Sequence, residues 1–143
     1  MSRTILIVQA PYYAEIAQEL LRGAEAALTE AGARFDKLTV PGALEIPGAI
    51  AMAEESERYD GYVALGCVIR GETSHYDIVA GESARGLMAL SMEAVAVGNA
   101  ILTCENGEQA MARASVDGKN KGAEAVKAAL MMIDIREKMA PRR

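Results

Sequence analysis

The residues best suited to chemistry lie in one stretch of the chain, residues 66–79, which reads GCVIRGETSHYDIV. Apolar residues lead into a polar turn, and the turn ends at His75, the single histidine. An imidazole can accept or donate a proton near neutral pH, so His75 is a candidate proton donor and acceptor. The competing interpretation is a solvent-exposed residue in the first turn of a helix. The polar turn that precedes His75 favours the catalytic interpretation.

The polar turn also suggests an anion site. Gly66 and Gly71, followed by Glu72 and Thr73, match the nucleotide-binding pattern GxxxxGK[ST] except at the lysine, which contacts the β and γ phosphates. Because a glutamate at that position would repel those phosphates, we exclude a nucleoside-triphosphate site. We predict instead that one phosphate binds to backbone N–H groups and to the hydroxyls of Thr73 and Ser74.

Predicted strands and helices alternate along the chain, and these elements must position the polar turn. The predicted strands cover residues 4–10, 34–40, 62 to the turn at Gly66, and 99–103. The predicted helices cover residues 14–31, 45–55, 75–97, 106–114 with Asn106 as the cap, and 121–138. This order predicts an α/β fold in a single domain, residues 1–143: a flavodoxin-like three-layer sandwich with a four-stranded parallel sheet.

In such a sheet, the turns that follow the strands lie along one edge. The residues in these turns are Tyr12 and Tyr13, residues 42–45, residues 68–75, and Glu105 with Asn106. Together they predict a pocket for a flat polar ring and a small phosphate. Each residue also has a structural interpretation: Tyr12 could pack against the core, and Glu45 could be a carboxylate favoured by a helix dipole.

Two basic residues further along the chain need separate treatment. Arg113 and Lys121 could be ordinary solvated surface charges. Arg113 lies about 10 Å along its helix from the start, so it would reach the pocket of its own chain with difficulty. If Arg113 binds the phosphate, we expect it to come from a neighbouring subunit.

The bulk composition excludes several classes of partner. A formal net charge of -5 and a pI near 5.0 argue against non-specific binding to nucleic acid or to an acidic membrane surface. No apolar run is long enough to span a bilayer and the first residues lack a secretory signal, which predicts a cytoplasmic protein. Cys67 and Cys104 lack CxxC spacing, so we expect two buried thiols, no disulfide and no metal site.

Four blocks of sequence carry a resemblance to a known family. They are VPGALEIP at residues 40–47, ALGCVIRGETSHYDIV at 64–79, ILTCEN with EQA within 101–110, and NKG at 120–122 with Arg113 upstream. In this order they resemble the 6,7-dimethyl-8-ribityllumazine synthases, which catalyse the penultimate step of riboflavin biosynthesis. The resemblance spans nearly the whole chain.

The resemblance implies a reaction between two small molecules. In this family 5-amino-6-(D-ribitylamino)uracil condenses with 3,4-dihydroxy-2-butanone 4-phosphate; an imine forms, phosphate leaves and the ring closes with loss of water. No metal or organic cofactor is implied. By position, His75 would be the proton donor and acceptor and Tyr12 would stack on the ring. The other implied substrate-binding residues are Ala43, Leu44, Glu45, Cys67, Val68, Ile69, Glu72, Thr73, Asn99, Arg113 and Lys121.

The resemblance also implies a homo-oligomer, a pentamer or a multiple of pentamers, with Arg113, Lys121 and Asn99 supplied across subunit interfaces. Two residues depart from the commoner family pattern: Pro11 replaces an arginine, and Asn99 replaces a phenylalanine. These departures motivate an alternative, a non-catalytic flavin- or lumazine-binding protein on the same scaffold. A third hypothesis, a phosphate-sensing signalling module, lacks the acidic cluster and lysine expected of a receiver domain.

Overall fold

The computed structural model describes residues 2–142 of the chain. Four strands alternate with helices in the predicted order. The strands are β1 (Thr4–Gln9), β2 (Arg34–Thr39), β3 (Gly61–Ile69) and β4 (Val97–Cys104). The helices are α1 (Ala14–Glu30), α2 (Ile46–Glu54), α3 (His75–Met92), α4 (Gly107–Ala114) and α5 (Lys121–Lys138), with a 3-10 turn at Ala43–Glu45.

The four strands form one parallel sheet in the order β2-β1-β3-β4. The central strands β1 and β3 are almost continuously apolar because a parallel sheet is covered on both faces. The predicted α/β sandwich is therefore confirmed. All four strands run the same way, so their carboxyl ends meet at one edge of the sheet, where the candidate residues lie.

Two hydrophobic clusters cover the two faces of the sheet. Alternate residues of β1 divide between them: Ile5 and Ile7 pack with α1, α4 and α5, whereas Leu6 and Val8 pack with α2 and α3. With helices packed on both faces, the ends of the strands are held in place, and so are the turns that follow them. No helix within residues 2–142 has both the length and the apolar character needed to cross a membrane.

The predicted start of the focal turn is wrong. Gly66 lies inside β3, which remains paired with β4 as far as the Ile69–Cys104 pair. Residues 66–69 are therefore strand, because their backbone groups find partners on β4, and the turn itself covers residues 70–74. This shortens the turn and places Cys67, Val68 and Ile69 on rigid backbone.

The predicted end of α3 is also wrong. The helix ends at Met92 rather than near Val97, and Ala94 adopts a left-handed backbone conformation with φ of 67°. That reversal lets Val95 donate a backbone hydrogen bond to the carbonyl of Leu90 at 3.1 Å and become buried. As a result β4 begins at Val97 rather than at Asn99.

Candidate active site

A cavity of about 390 Å³ opens at the carboxyl edge of the sheet, a size that suits a small-molecule ligand. It is bounded by the segments that follow β1 and β2, by the end of β3 and by the start of α3. The lining residues are Tyr12, Tyr13, Gly42, Ala43, Leu44, Glu45, Cys67, Val68, Ile69, Gly71, Thr73, His75, Tyr76 and Val79. Nine of the residues predicted from sequence therefore line one space.

An aromatic pair forms one wall of the cavity. The Tyr12 ring packs edge-on against Tyr13 with 4.9 Å between the ring centroids, while Tyr13 packs on the core around α1. Tyr12 itself is 77% exposed, so it is held on one side and available on the other. Such a ring can stack on a flat heterocycle. Burial raises the pKa of the Tyr13 hydroxyl, which suits Tyr13 to a packing role.

The 3-10 turn after β2 presents a carboxylate. The backbone N–H of Glu45 donates to the carbonyl of Gly42 at 3.1 Å, closing the turn. A Cβ atom on Gly42 would lie 3.1 Å from Oε1 of Glu45, so a larger residue there would push against this carboxylate. Ala43 is buried and anchors the turn, whereas Leu44 and Glu45 are exposed. The turn can therefore offer an acceptor to a ligand from a fixed backbone.

Cys67 lines the cavity without being a nucleophile. It is half-buried, and burial raises the pKa of its thiol to about 12, so the group is neutral at physiological pH. The expectation that both cysteines are buried holds for Cys104 but is wrong for Cys67, because the end of β3 faces the cavity. Both thiols are free.

His75 is the first residue of α3 and follows the exposed turn of residues 70–74. Its backbone N–H donates to Oγ1 of Thr73 at 3.3 Å, and the N–H of Ile78 donates to the carbonyl of Ser74 at the same distance. The turn thus runs directly into a helix amino terminus, which favours anions. Thr73 and His75 line the cavity, whereas Glu72 is exposed and lies outside its lining.

The remaining three predicted residues lie elsewhere on the chain. Asn99, Arg113 and Lys121 line a second cavity of about 300 Å³ beside β4, and none of them lines the first. Asn99 Oδ1 accepts from the N–H of Ile101 at 2.8 Å, Arg113 donates to the carbonyl of Gln109 at 3.0 Å, and Lys121 pairs with Glu124 at 3.1 Å. One chain therefore carries two separate groups of predicted site residues.

Sequence reasoning did not single out two of the cavity-lining residues, Tyr76 and Val79. The signal was present, since Tyr76 follows His75 directly and Val79 comes three residues later on the same helix face. Neither was predicted to line the cavity, because an apolar residue near the start of a helix that packs on a sheet usually belongs to the core.

Comparison with known proteins identifies the family of this chain. Residues 2–137 match the family model described as 6,7-dimethyl-8-ribityllumazine synthase. The 6,7-dimethyl-8-ribityllumazine synthase of Novosphingobium aromaticivorans is 61% identical over 133 residues, covering 93% of this chain and 96% of the relative. That of Bartonella tribocorum is 55% identical over 141 residues, covering 97% and 93%. That of Zymomonas mobilis is 52% identical over 135 residues, covering 94% and 97%. The chain therefore belongs to the 6,7-dimethyl-8-ribityllumazine synthase family.

Proposed function

We propose that the cavity at the carboxyl end of β3 is where this enzyme joins its two substrates. The chain condenses 5-amino-6-(D-ribitylamino)uracil with 3,4-dihydroxy-2-butanone 4-phosphate to 6,7-dimethyl-8-ribityllumazine, releasing phosphate and water, in riboflavin biosynthesis. The observation that carries the assignment of the site is the cavity itself. It brings an exposed aromatic ring, a carboxylate and an imidazole around about 390 Å³ of space.

The pyrimidine occupies the side of the cavity formed by the segments after β1 and β2. Tyr12 stacks on the ring, and Glu45 accepts hydrogen bonds from the ribityl hydroxyls or the ring N–H groups. Ala43 and Leu44 bound the same substrate. On the opposite side, the end of β3 offers the backbone edges of Cys67, Val68 and Ile69.

The phosphate of the second substrate occupies the turn before α3. Thr73 Oγ1 accepts the N–H of His75, which leaves its own proton free to donate to a phosphate oxygen. The amino terminus of α3 adds a favourable dipole. Glu72 borders this site from outside the cavity.

Catalysis in this site consists of positioning and proton transfer. The amine of the pyrimidine attacks the carbonyl of the second substrate, so the protein needs no nucleophile of its own, and the neutral Cys67 thiol fits that requirement. His75 donates and accepts protons as the imine forms and phosphate leaves. Charge on the departing phosphate needs a cation, and none lines the cavity within the described chain.

The missing cation comes from a neighbouring copy of the chain. Arg113 and Lys121 would bind the phosphate and Asn99 would border the pyrimidine, all from the adjacent subunit, in a pentamer or a multiple of pentamers. The separation of the two cavities on one chain supports this. Exposed apolar residues on α3 and α5 also favour burial between subunits. They are Met88 and Met92 on α3 and Met131 and Ile135 on α5, with Met139 directly after α5.

A binding protein without turnover on the same scaffold is not favoured. His75, Arg113 and the phosphate turn are all retained, and relatives more than half identical over nearly the whole chain are named as synthases. The departures at Pro11 and Asn99 lie on the pyrimidine side. They bear on affinity for that substrate rather than on proton transfer.

The direct test mixes the purified protein with both substrates and follows lumazine absorbance together with phosphate release. We expect product and phosphate in equal amounts, at a rate well above that of the same mixture without protein. Omitting either substrate is the control. A rate no greater than the uncatalysed one would contradict the proposed function.

A further inference from the structure

We propose that Arg70 is a positioning residue for this reaction: it clamps the phosphate turn and the first turn of α3, and so fixes the imidazole of His75. The inference rests on the proposed function. It concerns a residue outside the lining of the cavity, three residues before Thr73, the first predicted phosphate contact.

Arg70 joins three structural elements through one guanidinium group. Its Nε donates to Glu105 at 3.0 Å, directly after β4, and its Nη1 contacts Asp77 on α3 at 3.4 Å. The guanidinium carbon also lies 4.3 Å from the centre of the Tyr76 ring. Its backbone N–H donates to the carbonyl of Cys104 at 2.9 Å, so the base of the clamp is fixed to the sheet.

The acceptor after β4 is itself held in place. The backbone N–H of Glu105 donates to Oε1 of Gln109 in α4 at 2.8 Å, which fixes the backbone from which the Glu105 carboxylate extends. Asn106 caps the same helix by accepting from the N–H of Gln109 at 2.9 Å. Arg70 therefore ties the exposed turn beside the cavity to the start of α4.

His75 has little else to position it. Within residues 2–142 its imidazole makes no hydrogen bond, and its place depends on the backbone of the turn and of the first turn of α3. Residues 71–74 are exposed, and a Cβ atom on Gly71 would meet nothing within 4 Å. Packing alone does not hold this turn. Arg70 starts it, anchored to Cys104 and Glu105, and contacts Tyr76 and Asp77 directly after His75, so these contacts fix the two ends of the segment that carries His75.

The chemistry of the clamp is specific to arginine. A planar guanidinium can stack on Tyr76 while its edge donates to two carboxylates, whereas a lysine ammonium cannot do both. The side chain is 44% exposed, and ion pairs in such positions add little to stability. We therefore expect loss of Arg70 to change catalysis more than folding.

The experiment compares R70Q and R70K with the wild-type chain in the synthase assay. We expect kcat to fall roughly tenfold in both variants, because a small displacement of a catalytic group is costly, while the KM for the pyrimidine stays within about twofold. The matched control is R22Q. Arg22 on α1 makes a similar exposed fork with Glu19, at 3.1 Å for both contacts, and it lies outside the lining of the cavity.

A double-substitution cycle separates positioning from a structural role. If Arg70 acts through the imidazole, R70Q should have little further effect on kcat in an H75A background. A full tenfold loss in that background, unchanged kcat in R70Q, or wild-type kcat in R70K would each overturn the inference while leaving the proposed function intact. A wild-type chain without synthase activity would overturn both. If R70Q does not fold, the same cycle is run with R70K, comparing R70K with the R70K/H75A double variant.

Discussion

Single residues in the cavity divide the chemistry into proton transfer and shape. In the proposed site His75 supplies the proton-transfer group, whereas the pKa of Cys67 is raised so far that its thiol stays neutral. Tyr12 and Glu45 present an exposed ring and an exposed carboxylate from fixed backbone. This division predicts that removing the proton-transfer group slows turnover without emptying the site.

We expect His75→Ala to lower kcat by up to about a hundredfold, the usual contribution of a general acid or base. Substrate positioning persists, so activity above the uncatalysed rate remains and both KM values change little. Steady-state assays with each substrate varied in turn provide the measurement. Wild-type kcat in His75→Ala would remove the imidazole from the mechanism.

The raised pKa of Cys67 predicts slow alkylation. A thiol with a pKa of about 12 carries far less thiolate near neutral pH than a free cysteine, whose pKa is near 8.5. Labelling of Cys67 by iodoacetamide at pH 7.5 should be at least about a hundredfold slower than in the unfolded chain. The rate should keep rising through pH 10, since the thiolate fraction is still growing there.

Mass spectrometry of the peptide that contains Cys67 measures this rate at each pH. The same peptide from protein unfolded in denaturant is the control for reagent access. A labelling rate that levels off near pH 9 would show a thiol with an ordinary pKa, and would contradict the account of Cys67 as a neutral wall residue.

The sequence predicted which residues would lie together best where they share one short motif. Thr73 lies in the turn and His75 directly after it, and both line the cavity. Exposure was harder to predict: Cys67 reads as a core residue in an apolar strand, but it is half-buried because the strand ends at the cavity. Tyr76 was not predicted to line the cavity, because its ring also packs on the core and an aromatic residue at that position is typical of packing.

At the scale of elements, the order of strands and helices could be predicted but several ends could not. Apolar periodicity and turn residues mark where an element exists. The end of β3 is set by pairing with β4, which is remote in sequence, and the end of α3 is set by the reversal at Ala94. These are tertiary effects that override local preference. They matter for function because they decide which residues of the 66–79 stretch are rigid.

The packing of α5 on β4 gives a prediction at this scale. A Cβ atom on Gly98 would lie 1.8 Å from the carbonyl oxygen of Ala125, so the helix and strand must separate to admit an alanine. We expect Gly98→Ala to lower the free energy of unfolding by roughly 3 kcal/mol, the upper end of the cost of overpacking. Urea unfolding at one fixed protein concentration measures the change.

Gly81→Ala is the matched control for this substitution. Gly81 lies inside α3, and a Cβ atom there would meet nothing within 4 Å of its own subunit. Alanine favours a helix over glycine by about 1 kcal/mol, so this change should be neutral or stabilising. If Gly98→Ala were as stable as Gly81→Ala, the close approach of α5 to β4 would not be a constraint on the fold.

At the scale of the whole molecule, the chain presents one cavity with an imidazole and another with two cations. Residues that share a role in the proposed reaction lie in different places on one subunit. In the proposed ring of identical subunits they would come together, with Arg113 of one subunit reaching the His75 cavity of the next. Arg113→Ala should accordingly raise the KM for the phosphate substrate much more than the KM for the pyrimidine.

The shared site makes a prediction that a self-contained subunit cannot satisfy. His75→Ala and Arg113→Ala damage opposite sides of the same site, so an assembly that contains both variants includes some sites with an intact His75 and an intact Arg113. In a randomly mixed ring about a quarter of the sites are of this kind. Co-expression of the two variants should therefore restore about a quarter of wild-type kcat, measured against each variant alone. A homogeneous double variant is the control, since it can build no intact site. Mixed assemblies that are only as active as the average of the two single variants would mean that each chain completes its own site, and the proposed arrangement of subunits would have to be abandoned.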